Sequence, residues 1–117
     1  MSEINKLSKK NKNIKSFANS YFQNLINTFE NLDKNSILKL EKEFLDVRKK
    51  NSTLYVFGNG GGAATAMTMA NDLGFDVLKK TKKKTFKIIS LNDNSSVITA
   101  IANDTGYDNI FLNQLKI

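Results

Sequence analysis

The 117-residue sequence contains no cysteine, histidine, proline or tryptophan. Without cysteine the chain has no disulfide, no thiolate metal ligand and no cysteine nucleophile. Without histidine it lacks the commonest general acid–base and the commonest metal ligand. No apolar run approaches the roughly 18 residues that a membrane span needs, and the Lys- and Asn-rich start of the chain lacks the apolar stretch of a signal peptide. We therefore expect a cytoplasmic protein without a strong metal signal.

The net charge of +7 is concentrated in two lysine-rich stretches, residues 1–15 and residues 79–87. Blocks of like charge are usually exposed to solvent, so a solvated tail and a solvated loop are predicted. Arg48 is the only arginine in the chain, whereas recognition of phosphates and base edges favours arginine. We expect neither a nucleic-acid nor a membrane partner, although a small basic nucleic-acid-binding protein remains an alternative.

The N-terminal part of the chain is predicted to be a basic flexible tail over residues 1–15, followed by a helical pair over residues 16–50. Asp33 or Ser36 can cap the second helix. The apolar positions recur every three or four residues, as on one face of a helix: Phe17, Tyr21, Leu25, Phe29 and Leu32, then Ile37, Leu40, Phe44 and Val47. Faces this wide need a partner surface, so residues 16–50 are expected to form a homo-oligomer interface.

Residues 51–117 alternate between strand and helix patterns. Residues 53–57 and 86–91 are short apolar runs typical of buried parallel strands, and residues 63–73 form a helix pattern rich in small side chains. This alternation predicts an α/β fold with a doubly wound, Rossmann-like parallel sheet, preceded by the helical pair. Because only two strands are found, we expect a partial domain, completed by further chain or by a partner.

The connections between these elements carry turn signals. Gly74 is predicted to terminate the first helix in the left-handed conformation, and residues 75–85 to form a long basic connection. Ser95 or Ser96 can cap the next helix, and residues 107–116 are predicted to form a last helix.

A glycine-rich turn, residues 58–62, joins the first strand to its helix. Such a turn presents unpaired amides at the positive end of a helix, which suits an anion or an oxygen-rich ligand. The same crevice would receive residues 92–94 and the pair Asn103-Asp104. A tight turn without a ligand is the alternative. Gly58, Gly60 and Ala63 match a loose dinucleotide-binding pattern, but the carboxylate that such a site needs about 20 residues later is missing. A P-loop is not indicated, because the Lys-Ser/Thr pair that follows its glycines is absent.

Two blocks of sequence resemble the sugar isomerase (SIS) domain family, and within it the phosphoheptose isomerases. They are Tyr55-Val56-Phe57-Gly58-Asn59-Gly60-Gly61 with the following helix, and the stretch from Ile89 to Phe111. The resemblance implies a cytoplasmic homotetramer that isomerises sedoheptulose 7-phosphate, an aldose–ketose reaction of heptose synthesis for lipopolysaccharide. It also implies zinc in many members.

The resemblance further implies roles for individual residues. Substrate contacts fall on the glycine turn and on one later pair: Asn59, Gly60, Gly61, Gly62, Asn103 and Asp104. Asp72 stands where the family has a glutamate that acts on substrate, and a carboxylate base suits an enediol mechanism; a solvated helix-end residue is the alternative. Thr68 replaces the family's metal-binding histidine, so no metal or other cofactor is assigned.

The family's third strand, its Ser/Thr-rich phosphate loop and its C-terminal histidines have no counterpart here. We therefore expect the N-terminal portion of such an enzyme, inactive alone. The alternative is a non-catalytic sugar-phosphate-binding or assembly module.

Overall fold

The computed structural model describes residues 2–116, which divide into two compact units, one ending at Leu40 and the other beginning at Glu41. The first three helices are α1 (Glu3–Lys10), α2 (Ile14–Glu30) and α3 (Lys34–Lys50). Within the described residues, no helix combines the length and the apolar character that crossing a bilayer requires.

Helix α1 lies where the sequence predicted a flexible tail. The Ser2 side chain accepts a hydrogen bond from the Asn5 amide, 3.3 Å away, and so caps the helix. Glu3 lies in the first turn and lysines lie in the last turn, where their charges interact favourably with the helix dipole. Local capping and charge thus explain why this segment is helical, although its apolar residues do not predict a helix. The flexibility of this segment stays a prediction.

Asp33 begins α3, as one of the two predicted caps. Its carboxylate accepts hydrogen bonds from the Asn35 amide (3.0 Å) and the Ser36 hydroxyl (2.6 Å). These bonds, led by the one from Ser36, hold the pKa of Asp33 below its ordinary value of 3.8. The apolar faces of α2 and α3 remain strongly exposed, with Phe22 60% and Phe29 65% accessible.

The sheet consists of two parallel strands, β1 (Thr53–Val56) and β2 (Lys87–Ser90). Leu54 pairs with Ile88 in register, and the Leu91 amide extends the ladder by donating to the Val56 carbonyl (3.0 Å). The predicted α/β fold, with helices preceding a parallel sheet, is therefore confirmed. The most buried apolar side chains lie around this sheet: Ala66, Leu91 and Ile110.

The connection from β1 to β2 is more helical than predicted. Helix α4 (Gly61–Asn71) continues through a π-helical segment, Asp72–Asp76, into α5 (Val77–Thr81). The predicted helix end at Gly74 is wrong, because Lys82 and not Gly74 adopts the left-handed conformation (φ 55°). A side chain at Gly74 would instead approach the Ile88 methyl group at 3.1 Å, so this glycine permits close packing of helix on strand. The basic connection shrinks accordingly to residues 82–86.

After β2 the chain forms α6 (Ser95–Thr105), a 3-10 turn (Tyr107–Asn109) and α7 (Ile110–Gln114). The predicted caps at Ser95 and Ser96 are wrong, since the Asn94 side chain accepts from the Val97 amide at 3.1 Å. One continuous helix over residues 107–116 is replaced by the 3-10 turn and the shorter α7.

Candidate functional site

The side chain of Asn92 holds the start of the glycine-rich turn. Its Oδ1 accepts from the Gly58 amide at 3.0 Å, and its Nδ2 donates to the Gly58 carbonyl at 2.9 Å. The Asn92 amide donates in turn to the hydroxyl of Ser90, a polar side chain buried at the end of β2. One carboxamide therefore satisfies both polar groups of Gly58 and ties the turn to the second strand.

The turn itself requires glycine at two positions. A side chain at Gly58 would meet the Gly62 carbonyl carbon at 2.5 Å, and Gly60 has a φ of 53°. The Gly62 amide donates to the Asn59 carbonyl (2.9 Å), which closes the turn on itself. Within residues 2–116 the amides of Asn59, Gly60 and Gly61 donate to no protein acceptor. They lie before and at the first residue of α4, where the helix dipole favours an anion.

Tyr107, which lies far from the glycine-rich turn in sequence, contacts it through a hydrogen bond. Its hydroxyl donates to Oδ1 of Asn59 at 3.0 Å, across 48 residues of sequence. Asn59 and Tyr107 line a cavity of about 180 Å³ together with Asp108, Ile110 and Phe111. Phe111 packs against Phe57, with ring centroids 4.6 Å apart, and contributes apolar surface to the cavity lining.

The predicted pair Asn103 and Asp104 lies in the last turn of α6. The Asn103 Nδ2 donates to Asp104 Oδ1 at 2.9 Å, and both side chains are exposed. They precede Tyr107 by four and three residues, so the chain leads directly from this pair to the residue that contacts Asn59. Their role as substrate contacts stays a prediction.

Asp72 lies at the opposite end of α4 from the glycine-rich turn. It is eleven residues beyond Gly61, which corresponds to about 16 Å along a helix that rises 1.5 Å per residue. With Thr65 and Thr68 it forms a polar line on one face of α4, in an open groove of about 590 Å³. Asn71 Nδ2 donates to its carboxylate at 3.4 Å. The structure thus brings Asn59 to Tyr107, but it leaves Asp72 a helix length away.

Thr68 and Asp72 are the two residues that would hold a metal ion at the positions the resemblance indicates. A neutral threonine hydroxyl is a poor zinc ligand, and one carboxylate does not complete a zinc site. Among the described residues no three acidic, histidine or cysteine side chains gather where they could hold an ion. The donor set therefore does not fit zinc.

Sequence reasoning missed two contacts of this site. It placed Asn92 beside the turn but gave no reason for its side chain to reach Gly58, 34 residues earlier. It gave Tyr107 no role. An asparagine directly after a parallel strand that lies beside a glycine-rich turn is a signal that could have found the first contact.

Comparison with known proteins places these features in a family. The profile described as SIS domain matches residues 19–117. A probable phosphoheptose isomerase from Thermoplasma volcanium is 35% identical over 85 residues, covering 73% of this chain and 42% of that protein. The phosphoheptose isomerase of Leptospira biflexa (strain Patoc 1 / Ames) is 36% identical over 75 residues, or 64% and 38% of the two chains. That of Helicobacter pylori (strain HPAG1) is 35% identical over 72 residues, or 62% and 36%. The aligned part spans about two fifths of these relatives, and no solved structure matches the chain significantly.

Proposed function

The chain belongs to the SIS domain family, and from this membership we propose that residues 58–62 and the start of α4 bind the phosphorylated part of a sugar. The observation that carries the proposal is the set of amides at Asn59, Gly60 and Gly61, which have no acceptor within residues 2–116. Asn92 holds the turn that presents them. Because the turn is already closed, little conformational freedom is lost when an anion binds.

The substrate class we propose is a heptose phosphate such as sedoheptulose 7-phosphate. Its support is the similarity to proteins named phosphoheptose isomerase. A phosphorylated polyol offers several acceptor oxygens to the turn and to the carboxamide of Asn59, and hydroxyl donors to a carboxylate such as Asp104. In this proposal Gly62, Asn103 and Asp104 complete the contacts to substrate. The reaction would serve heptose synthesis for lipopolysaccharide in the cytoplasm.

For catalysis we propose Asp72 as the carboxylate that moves a proton between neighbouring carbons during aldose–ketose isomerisation. A ligand held at the turn reaches Asp72 only if it extends along the Thr65–Thr68 line of α4. The long separation supports a second part of the proposal: these 117 residues bind the sugar phosphate but do not turn it over by themselves. No step in this proposal runs through a metal ion.

The experiment is a titration of the purified chain with sedoheptulose 7-phosphate by calorimetry, together with an assay for the aldose product. We expect binding that is measurably weaker in the Asn59→Ala variant, and no turnover. Absence of binding would overturn the proposed ligand site. Turnover that Asp72→Asn abolishes would leave the site in place and overturn only the inactivity.

A non-catalytic binding or assembly module is the second candidate. It is favoured by Thr68, which cannot replace a histidine as proton carrier or metal ligand. In that case the chain binds the sugar phosphate and Asp72→Asn leaves binding unchanged. We further propose that residues 16–50 join copies of the chain into a homo-oligomer, a homotetramer by the family resemblance. The exposed apolar side chains of α2 support this.

A further inference from the structure

Tyr107 is held firmly in the place from which it contacts Asn59. Gly106 precedes it with a φ of 95°, and the Asn109 amide donates back to the Gly106 carbonyl at 3.1 Å. Ile110, which comes directly after the 3-10 turn, is 3% exposed. Gln114 at the end of α7 donates to the Leu91 carbonyl at 3.1 Å. The segment that carries Tyr107 is therefore anchored to the end of the sheet, while Tyr107 itself stays 58% exposed.

In the structure the Asn59 carboxamide turns its oxygen toward the Tyr107 hydroxyl. A carboxamide has an acceptor oxygen on one side and a donor NH₂ group on the other. Since the Tyr107 hydroxyl donates to Oδ1, the Nδ2 group of Asn59 faces away from that hydroxyl. Among residues 2–116, Nδ2 of Asn59 donates to no acceptor. The two N–H bonds of this group therefore remain available to a ligand.

We propose that Tyr107 is a positioning residue: through its bond to Oδ1 of Asn59, it directs the Asn59 NH₂ group at an oxygen of the sugar part of a bound sugar phosphate. The inference rests on the proposed function of the glycine-rich turn. It explains how that site would bind a sugar phosphate in preference to inorganic phosphate. Phosphate alone needs only the backbone amides, whereas the sugar oxygens need a side-chain donor held in one orientation.

The cavity beside the two residues is consistent with this division of roles. Its volume of about 180 Å³ accommodates a few hydroxymethylene groups, and its wall combines the polar Asn59 and Asp108 with the ring of Phe111. A ring face packs well against the C–H surface of a sugar, while polar groups take its hydroxyls. Losing the Tyr107 hydroxyl frees the carboxamide to rotate, so the donor must be ordered again on binding.

The decisive variant is Tyr107→Phe, which removes one oxygen and leaves the ring. Calorimetric titration of the full 117-residue chain with sedoheptulose 7-phosphate and, separately, with inorganic phosphate measures the effect. We expect the affinity for the sugar phosphate to fall about fivefold to tenfold and that for phosphate to change less than about twofold. Tyr55→Phe is the matched control. Tyr55 is also an exposed tyrosine, but the tyrosine that is hydrogen-bonded to Asn59 is Tyr107. Equal losses for both ligands, or no loss, would overturn the proposal.

A double-mutant cycle separates positioning from an independent contact. If Tyr107 acts through Asn59, the Asn59→Ala/Tyr107→Phe variant binds sugar phosphate no more weakly than Asn59→Ala alone. Additive losses would overturn the proposal. Asn59→Asp keeps an acceptor for Tyr107, but it loses the donor and adds a negative charge near the bound anion, so we expect it to bind more weakly than Asn59→Ala.

A ligand-free measurement keeps the inference testable even if the chain binds no sugar phosphate, which would refute the proposed function. The Asn59 side-chain NH₂ resonances, assigned from their absence in Asn59→Ala, report on the orientation of the carboxamide. Tyr107→Phe should shift them, and Tyr55→Phe should not. Unchanged resonances in Tyr107→Phe would overturn the positioning role directly.

Discussion

Asn92 and Gly58 are joined by two hydrogen bonds, in which one side-chain carboxamide pairs with both the N–H and the C=O of the same residue. The contact closes a loop of 34 residues and connects the ends of the two parallel strands. It mimics one rung of a sheet ladder at the point where the strands stop. The glycine-rich turn is consequently built on the sheet and not merely attached to it.

Replacing Asn92 should weaken the fold measurably. Asn92→Ala leaves the Gly58 N–H and C=O without their partners, and a lost pair of this kind costs about 1–3 kcal/mol of unfolding free energy. Urea denaturation followed by circular dichroism measures the change. Asp93→Ala, an exposed neighbour in the same turn, serves as the control and should change the unfolding free energy by less than about 0.5 kcal/mol. Equal effects of both variants would contradict the role of Asn92.

The glycines of the turn should differ sharply in their tolerance of a side chain. A Cβ at Gly58 would lie 2.7 Å from the Gly62 carbonyl oxygen, whereas one at Gly62 meets nothing within 4 Å. We expect Gly58→Ala to cost about 1–3 kcal/mol through overpacking. Gly62→Ala or Gly62→Ser should leave stability unchanged or slightly raised. Thermal melts of the three variants provide the comparison, and a tolerated Gly58→Ala would show that the turn is looser than its geometry indicates.

The general course of the fold could be predicted from the sequence because it depends on apolar spacing. The two N-terminal helices appear as periodic apolar patterns and the two strands as short apolar runs. The alternation of strand and helix predicts that the strands pair in parallel. The helix through Gly74 could not be predicted, because a glycine that allows close packing and a glycine that ends a helix look alike in sequence. Gly74 is explained only by Ile88, fourteen residues later on a neighbouring strand.

The site was predictable to the same extent. The glycine-rich turn is visible as local composition, and the residues that surround it are not. Asn92 and Tyr107 act across 34 and 48 residues, where local patterns carry no information. Asp72 was assigned by family resemblance, and its distance from the turn is set by the length of α4 alone.

The start of α3 should respond to acid. The pKa of Asp33 is lowered in the folded chain by its bonds from Ser36 and Asn35. A lowered carboxyl pKa contributes stability above the unfolded value near 3.8, and that contribution is lost as the pH falls below it. The Asp33→Ala variant lacks this contribution at any pH. Its helical signal should therefore fall less than that of the unchanged chain between about pH 4 and pH 2.

The control for this acid titration is Glu30→Gln, which removes another exposed carboxylate close in sequence. Helical circular dichroism measured across the same pH range compares the two variants. An identical acid profile for Asp33→Ala and the unchanged chain would contradict the capping role of Asp33.

Charge placed on the apolar face of α2 should dissociate the proposed oligomer. Phe22 and Ile26 are one turn apart on this face and are 60% and 49% exposed. Phe22→Asp or Ile26→Asp would force a carboxylate into an apolar contact, which is costly without a partner. Sedimentation velocity should then show a smaller species. Asn27→Asp introduces the same charge at an exposed position outside the apolar stripe of the helix and should leave the distribution unchanged. An unaltered profile for Phe22→Asp would argue against this interface.

The widened helical turn at Asp72–Asp76 bears on how this chain can tolerate changes of length. A π-helical turn holds one residue more than a regular turn, so deleting a residue there restores ordinary α-helical geometry while the helix on either side keeps its packing face. The glycine-rich turn has no extra residue of this kind, since its closure depends on contacts between its own residues. Insertions and deletions among related sequences should therefore collect at the far end of α4, and the stretch between β1 and α4 should keep a constant number of residues.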